Sequence, residues 1–543
     1  MRVGWFGTGF GILLGLGWIS GAIAAERLIF NFGPLEFEIA LSDLVTFAQT
    51  GEVSRSLGNY LTYLPPPQRL LLQDALTRSV PITPLAMANF LYSSQGELLL
   101  SRAGQIVRTG AGNPGFFALR SGLILGAAEP AGFNVLNFLD NLPTDTVRLD
   151  TAQGLALFTE IATVIQETDQ VLALAKAQSE AHALRVVAEE SGDFNRIRDA
   201  ALQLTQPGVF NHLKTSYELR DSARQRRIPF DLYIPHLKSQ GLAVPLVIIS
   251  HGLGSNRETF AYLASHLVSH GFAIAVVEHV GSNDEQVADL LQGLGAEATR
   301  PAEFLDRPWD IDMVWDWLSL HYEQTLDFER VAVIGQSFGG YTALALAGAG
   351  INQLRLQAEC QATQRFFNLS LSLQCLALEL APQSLESRES RLRAIVAINP
   401  VANAILGPQE LARVKIPALI IASTQDAIAP AIPEQVRPFE WLGSQDKYLM
   451  LLEKGSHFST LDSTADDIPL PEGVIGPDPA IARAYVKALS LAFLHAHLAA
   501  PNAVNTAETG QFSIYAQFLT QEEMPLYLLP ELPLDWRQLN KQP

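Results

Sequence analysis

The chain has 543 residues, 48% of them hydrophobic and only 17% charged, so it is too long for one core and too apolar to be disordered as a whole. Its 37 Lys and Arg against 56 Asp and Glu give a net charge of −19, which repels a phosphate backbone; with Arg224, Arg226 and Arg227 as the densest basic cluster, the sequence argues against a nucleic-acid partner. Two cysteines are too few for a disulfide scaffold or a four-cysteine zinc site.

Residues 1–25 carry one charge, Arg2, and an apolar run from Phe10 to Ile19. That run is short for a membrane span of about 20 residues. Ala22-Ile23-Ala24 fits the small-x-small rule for signal cleavage, so an exported protein is expected, with an uncleaved N-terminal anchor as the alternative. Residues 26–150 read as a mainly helical domain after an opening hairpin. Arg27–Phe32 and Leu35–Ile39 alternate on either side of the Gly33-Pro34 turn. Helical runs follow Pro65-Pro66-Pro67, Pro84 and Pro114. This region holds no His and no Cys, so it carries no catalytic pattern. Residues 151–227 read as a helical connector, with a long helix or a helical hairpin over Thr151–Val187.

From Ile228 short β-branched runs alternate with helical stretches. The predicted strands are Ile228–Ile234, Val244–Ser250, Phe272–Glu278, Arg330–Ile334, Ala394–Asn399, Ala418–Ala422 and Lys447–Leu452. Several are continuous apolar runs, the mark of strands buried on both faces, which predicts a mostly parallel α/β sheet over residues 228–500. An insertion occupies about 350–393, and 501–543 form a C-terminal extension. Such sheets place their chemistry at the carboxyl ends of the strands.

One strand, Val331-Ala332-Val333-Ile334, runs into Gly335-Gln336-Ser337-Phe338-Gly339-Gly340 and then a small-residue helix. Gly-x-Ser-x-Gly between strand and helix is a nucleophile elbow, so Ser337 is the candidate nucleophile. A serine hydroxyl needs a base, and the chain order for this elbow is Ser, acid, His. His457 follows the end of the last predicted strand. His251 and His279 precede the nucleophile, and His495 and His497 fall in a terminal helix. Asp426 follows the strand Ala418–Ala422 and is the candidate acid; as an alternative it caps a turn before Pro430. The strand before it ends at Asn399, an amide that cannot stabilise an imidazolium by charge. The oxyanion would be met by the backbone amides of Phe338 and of Leu253, which lies between Gly252 and Gly254. His251 is read as holding that loop. No metal site of zinc or calcium spacing occurs, and the chemistry calls for no cofactor.

These stretches, Ser250-His251-Gly252-Leu253-Gly254-Ser255, Leu263-Ala264-Ser265-His266, His270-Gly271-Phe272, Val277-Glu278-His279 and Val333–Gly340, resemble the platelet-activating-factor acetylhydrolase and dienelactone-hydrolase-like branch of the α/β-hydrolases. The resemblance covers about 228–500. Residues 26–150 are similar to a helical domain of unknown function joined to such hydrolases in bacteria, largely cyanobacteria. The resemblance implies Ser337 as nucleophile, His457 as base, and the amides of Leu253 and Phe338 as oxyanion hole. The acetylhydrolases place their acid where this chain has Asn399, so Asp426, one strand later, has to serve.

Both cysteines, Cys360 and Cys375, fall in the insertion. Fifteen residues of one straight helix would hold them about 22 Å apart, so a bond between them requires the chain to turn, giving a stapled hairpin or lid. An oxidising compartment favours the bond over two buried thiols. The leading expectation is a serine hydrolase acting on a small-molecule or lipid ester, with membrane contact allowed but not required. The alternatives are a peptidase or thioesterase on the same residues, or a catalytically silent binding protein.

Overall fold

A computed structural model of the chain describes residues 25–32, 35–62, 65–80, 82–130, 132–189, 194–236, 243–362, 368–381, 391–462, 475–498, 512–532 and 536. Residues 1–24 of the signal segment expected from the sequence, and part of the expected helical insertion, lie outside these residues. The chain divides into two compact units. One comprises the described residues up to Pro84 with Ala103–Thr151; the other comprises Leu85–Arg102 with the described residues from Ala152 onward.

The first unit contains the expected hairpin, β1 (Arg27–Phe32) and β2 (Leu35–Ala40), in antiparallel register. Two further strands, β3 (Val107–Thr109) and β4 (Thr146–Leu149), complete a sheet of order β2-β1-β4-β3. Three or four residues are too few to display a period of two, so these strands leave no sequence signal. Leu41, Leu44, Phe47, Leu57, Leu61, Leu142 and Val147 are buried together beside this sheet.

The second unit is built on nine strands: β5 (His212–Asp221), β6 (Arg226–Pro235), β7 (Val244–Ser250), β8 (Ala273–Val277), β9 (Leu326–Gln336), β10 (Leu392–Ile398), β11 (Ala418–Ser423), β12 (Lys447–Leu452) and β13 (Leu526–Leu529). Their order is β13-β12-β11-β10-β9-β7-β8-β6-β5. The six central strands, β8 to β12 with β7, run parallel; β13, β6 and β5 pair antiparallel at the edges. Alternate residues of the central strands enter opposite cores. Val331 and Val333 face one and Ala332 and Ile334 the other. That two-sided burial is why these strands are continuous apolar runs, and it makes the unit the mostly parallel α/β sheet expected from the sequence.

The sheet extends beyond the seven expected strands at both edges. β5 lies in residues read as helical connector, because its polar sequence, His-Leu-Lys-Thr-Ser-Tyr-Glu-Leu-Arg-Asp, is largely exposed and never forms an apolar run. β13 is four residues in the C-terminal extension and pairs with β12. The long helix is present, from Thr151 to Glu189.

Candidate active site

Parallel strands bring their carboxyl ends to one edge, and the candidate residues all follow such ends. β9 ends at Gln336 and the helix Phe338–Leu346 begins one residue later. The single residue between them is Ser337, at φ 55° and ψ −113°. A non-glycine residue held there costs about 1–3 kcal/mol, which the surroundings must impose. They do so through its glycines. A Cβ on Gly335 would lie 1.9 Å from the Gly339 carbonyl oxygen, and one on Gly339 would lie 2.0 Å from that of Ser250. The backbones therefore meet where side chains would stand, and the Ser337 N–H donates to the Ile398 carbonyl at 2.8 Å.

His457 follows β12 and Asp426 follows β11. His457 Nε2 lies 2.9 Å from Ser337 Oγ, and His457 Nδ1 lies 2.6 Å from Asp426 Oδ2. All three residues are buried. A carboxylate only accepts, so the proton sits on Nδ1, and Nε2 is left to accept from the serine hydroxyl. Asp426 is itself fixed: its Oδ1 accepts the N–H groups of Ile428 at 2.9 Å and Ala429 at 2.7 Å. Turn capping and contact with the histidine thus use different oxygens of one carboxylate. The loop carrying His457 is tied to its neighbours by its own carbonyl, which accepts from Gln336 Nε2 at 3.3 Å and Asn399 Nδ2 at 3.5 Å.

Asn399, at the end of β10, has φ 42° and is fully buried. Its Oδ1 accepts the Ser423 N–H at 2.9 Å, so the side chain spans β11 and the histidine loop. The position that the resemblance reserves for an acid here ties the end of β11 to the histidine loop through an amide.

The loop after β7 passes directly against the serine. A Cβ on Gly252 would lie 3.3 Å from Ser337 Cβ. Phe338 opens its helix, where the first N–H groups lack intrahelical partners. Neither the Leu253 nor the Phe338 N–H has an acceptor among the described residues. The His251 ring holds the loop, its Nδ1 donating to the Gly252 carbonyl at 2.7 Å and its Nε2 accepting the His279 N–H at 3.0 Å. Burial, then the nearby Arg307, pushes His251 down to about 3, which matches a neutral ring with one donor and one acceptor.

Beneath this loop lies a buried charged cluster that sequence reasoning missed. Arg226 pairs with Glu303 and Asp310, and Arg224 reaches Asp306 and Asp310. His279 Nδ1 lies 3.1 Å from Asp310 Oδ2, and burial followed by Arg307 keeps that imidazole neutral. Glu303, Asp306, Arg307 and Asp310 all belong to the helix Glu303–His321. Carboxylates at 303, 306 and 310 share one helix face, and this spacing together with the densest arginine cluster was the available signal. The same helix contains Pro308, whose missing N–H releases the Phe304 carbonyl; Tyr341 Oη, from the helix after Ser337, donates to it at 2.9 Å.

Cys360 and Cys375 are joined, with Cα atoms 5.8 Å apart. They lie in the helices Gln353–Gln361 and Ser370–Cys375. Among the described residues no group of three or more His, Cys, Asp or Glu is arranged to hold a metal ion, and no helix is long and apolar enough to cross a membrane.

Residues 24–150 match the family described as alpha/beta hydrolase of unknown function (DUF1400). Residues 234–299 match the family of platelet-activating factor acetylhydrolase, isoform II. The platelet-activating factor acetylhydrolase of Cavia porcellus is 29% identical over 138 residues, covering 19% of this chain and 32% of the relative. That of Canis lupus familiaris is 27% identical over 141 residues, 19% and 32%, and that of Bos taurus 28% identical over 146 residues, 20% and 33%. The chain thus spans about a third of the length of these curated relatives. The nine-stranded, mostly parallel sheet fits these matches: over the matched residues the chain is similar to α/β-hydrolases of the platelet-activating-factor acetylhydrolase kind.

Proposed function

We propose that the protein is an exported serine hydrolase that cleaves a carboxylic ester, with a small-molecule or lipid ester as substrate. The observation that carries this reading is the unbroken contact chain from Asp426 Oδ2 through His457 to Ser337 Oγ. In the mechanism, Ser337 Oγ attacks the ester carbonyl carbon as its proton passes to His457 Nε2. The carbonyl oxygen becomes an oxyanion facing the amides of Leu253 and Phe338. The intermediate collapses, the C–O bond to the alcohol breaks, and His457 returns the proton to the departing alkoxide. Water then gives a proton to His457 and attacks the acyl-enzyme; collapse returns the proton to Ser337 and frees the acid. Asp426 keeps the imidazole in the productive tautomer and stabilises the imidazolium by charge. Residues 26–150 serve as an accessory domain without catalytic groups. The bonded cysteines fit an oxidising compartment, which supports export.

A fluorophosphonate probe tests this reading. The wild type should be labelled and turn over p-nitrophenyl esters, and Ser337→Ala should do neither. Absence of labelling in the wild type sinks the hydrolase reading. A chain-length series of the same esters then defines the acyl group accepted.

A further inference from the structure

One buried side chain touches both elements that carry the oxyanion amides. Arg307 is fully enclosed. Its Nη1 donates to the His251 carbonyl at 2.7 Å and its Nη2 to the Gly252 carbonyl at 3.3 Å. Its guanidinium also lies 4.4 Å from the centroid of the Phe338 ring. We propose that Arg307 is a positioning residue for the oxyanion hole, aiming the Leu253 amide and clamping the Phe338 end of the elbow; this rests on the hydrolase reading above.

The geometry follows from the peptide unit. In a trans peptide the carbonyl of one residue and the N–H of the next point to opposite sides. The described backbone contains no cis peptide bond. Arg307 and His251 Nδ1 draw the Gly252 oxygen inward, so the Leu253 N–H is turned away from the core, on a loop that already lies against Ser337. The far side of the guanidinium is fixed as well. Arg307 Nε donates to Ser282 Oγ at 2.9 Å, which bonds Glu303 Oε2 at 3.0 Å, and the Ser282 carbonyl accepts the Gly254 N–H at 2.9 Å. The oxyanion loop is therefore held through residues 251, 252 and 254 by one small network. Phe338 is pinned from a second direction by Phe304, with ring centroids 4.7 Å apart. Only a planar fork can serve two carbonyls and a hydroxyl while stacking on a ring; a lysine ammonium offers a point charge without that shape.

The test uses the full chain, after active-site titration with the fluorophosphonate so that rates refer to folded, reactive enzyme. Wild-type labelling is read first; its absence removes the hydrolase reading and this proposal with it. Given labelling, Arg307→Lys should lower kcat on p-nitrophenyl butyrate by about 100-fold with KM within about twofold. Affinity for a trifluoromethyl ketone, which forms the tetrahedral adduct, should fall in parallel. Ser282→Ala keeps the buried cation and removes only its tether, and should lower kcat by about three- to tenfold with KM unchanged. A residue that merely stabilised the fold would lower the titratable fraction and leave kcat per titrated site intact. Unchanged kcat per site in Arg307→Lys overturns the proposal. Should that variant not fold, unchanged kcat per site in Ser282→Ala overturns it.

Discussion

Asp426 divides its carboxylate between a turn and an imidazole, and the two uses set different requirements. The Oδ1 atom accepts two backbone N–H groups, which an asparagine carbonyl could also do. The Oδ2 atom accepts from His457 Nδ1, which an amide NH₂ cannot. Asp426→Asn should therefore preserve the fold, shift the melting temperature by no more than a few degrees, and invert the tautomer. With Nδ1 forced to accept, Nε2 carries the proton and cannot take one from Ser337. Under the proposed mechanism a loss in kcat on the order of 10⁴-fold is expected. A fall of less than about tenfold, measured per titrated site, would assign the orienting role elsewhere. Asn399 is no substitute, since its amide faces the carbonyl of His457 rather than its ring.

The insertion shows what elements add to residues. Its second helix, Ser370–Cys375, is held to the first, Gln353–Gln361, by sulfur and to the loops after β10 and β11 by buried polar contacts. The Ser370 N–H donates to the Ile428 carbonyl at 2.8 Å, and the Ile428 N–H is one of those capping Asp426. Gln374 Oε1 accepts the Ala404 and Ile405 N–H groups, and Glu434 Oε2 accepts those of Ala402 and Asn403. The disulfide closes a loop of 15 residues, for which chain entropy gives about 3 kcal/mol. Dithiothreitol, or replacement of both cysteines by serine, should lower the melting temperature of the second unit; an unchanged transition would mean the polar contacts alone hold the insertion. The sequence pattern revealed such elements unevenly. Central strands such as β7 and β12 were legible to the residue because both faces are buried and all but a terminal residue of each is apolar. β5 and β13 sit at sheet edges, one polar and one short, and gave no run to read. Ser337, Asp426 and His457 were legible because each follows a legible strand. Arg307 was not, because an arginine inside a helix shows its meaning only through the carbonyls that the fold brings to it.

At the scale of the whole molecule, the net charge of −19 and the buried histidines pull in opposite directions as the medium is acidified. Protonating surface carboxylates relieves self-repulsion and favours the compact state. The histidines oppose it. Burial holds His251 and His266 down to about 3, and His279 well below its usual value. The neighbours push the same way where they are cationic: Arg307 beside His251 and His279, and His270 and Lys487 beside His266. Unfolded, each would titrate near 6.5, so below that pH the unfolded chain binds protons that the native chain refuses. Stability from these groups is thus fully present above about 6.5 and is lost progressively as pH falls below it, with a limit near 1.4 kcal/mol per pH unit for each. His266 isolates the effect. It lies on the helix Ala261–Ser269, outside the Ser337 contact chain, and its Nε2 has no hydrogen-bond partner among the described residues. Replacing it with glutamine leaves every surface carboxylate in place, so the self-repulsion contribution cancels when variant and wild type are compared at equal pH. Urea midpoints measured from pH 7.5 to 4.5 should fall less steeply for His266→Gln than for the wild type, the difference growing below 6.5. Parallel midpoint curves would show that this buried imidazole accepts its proton in the native state at the same pH as in the unfolded chain.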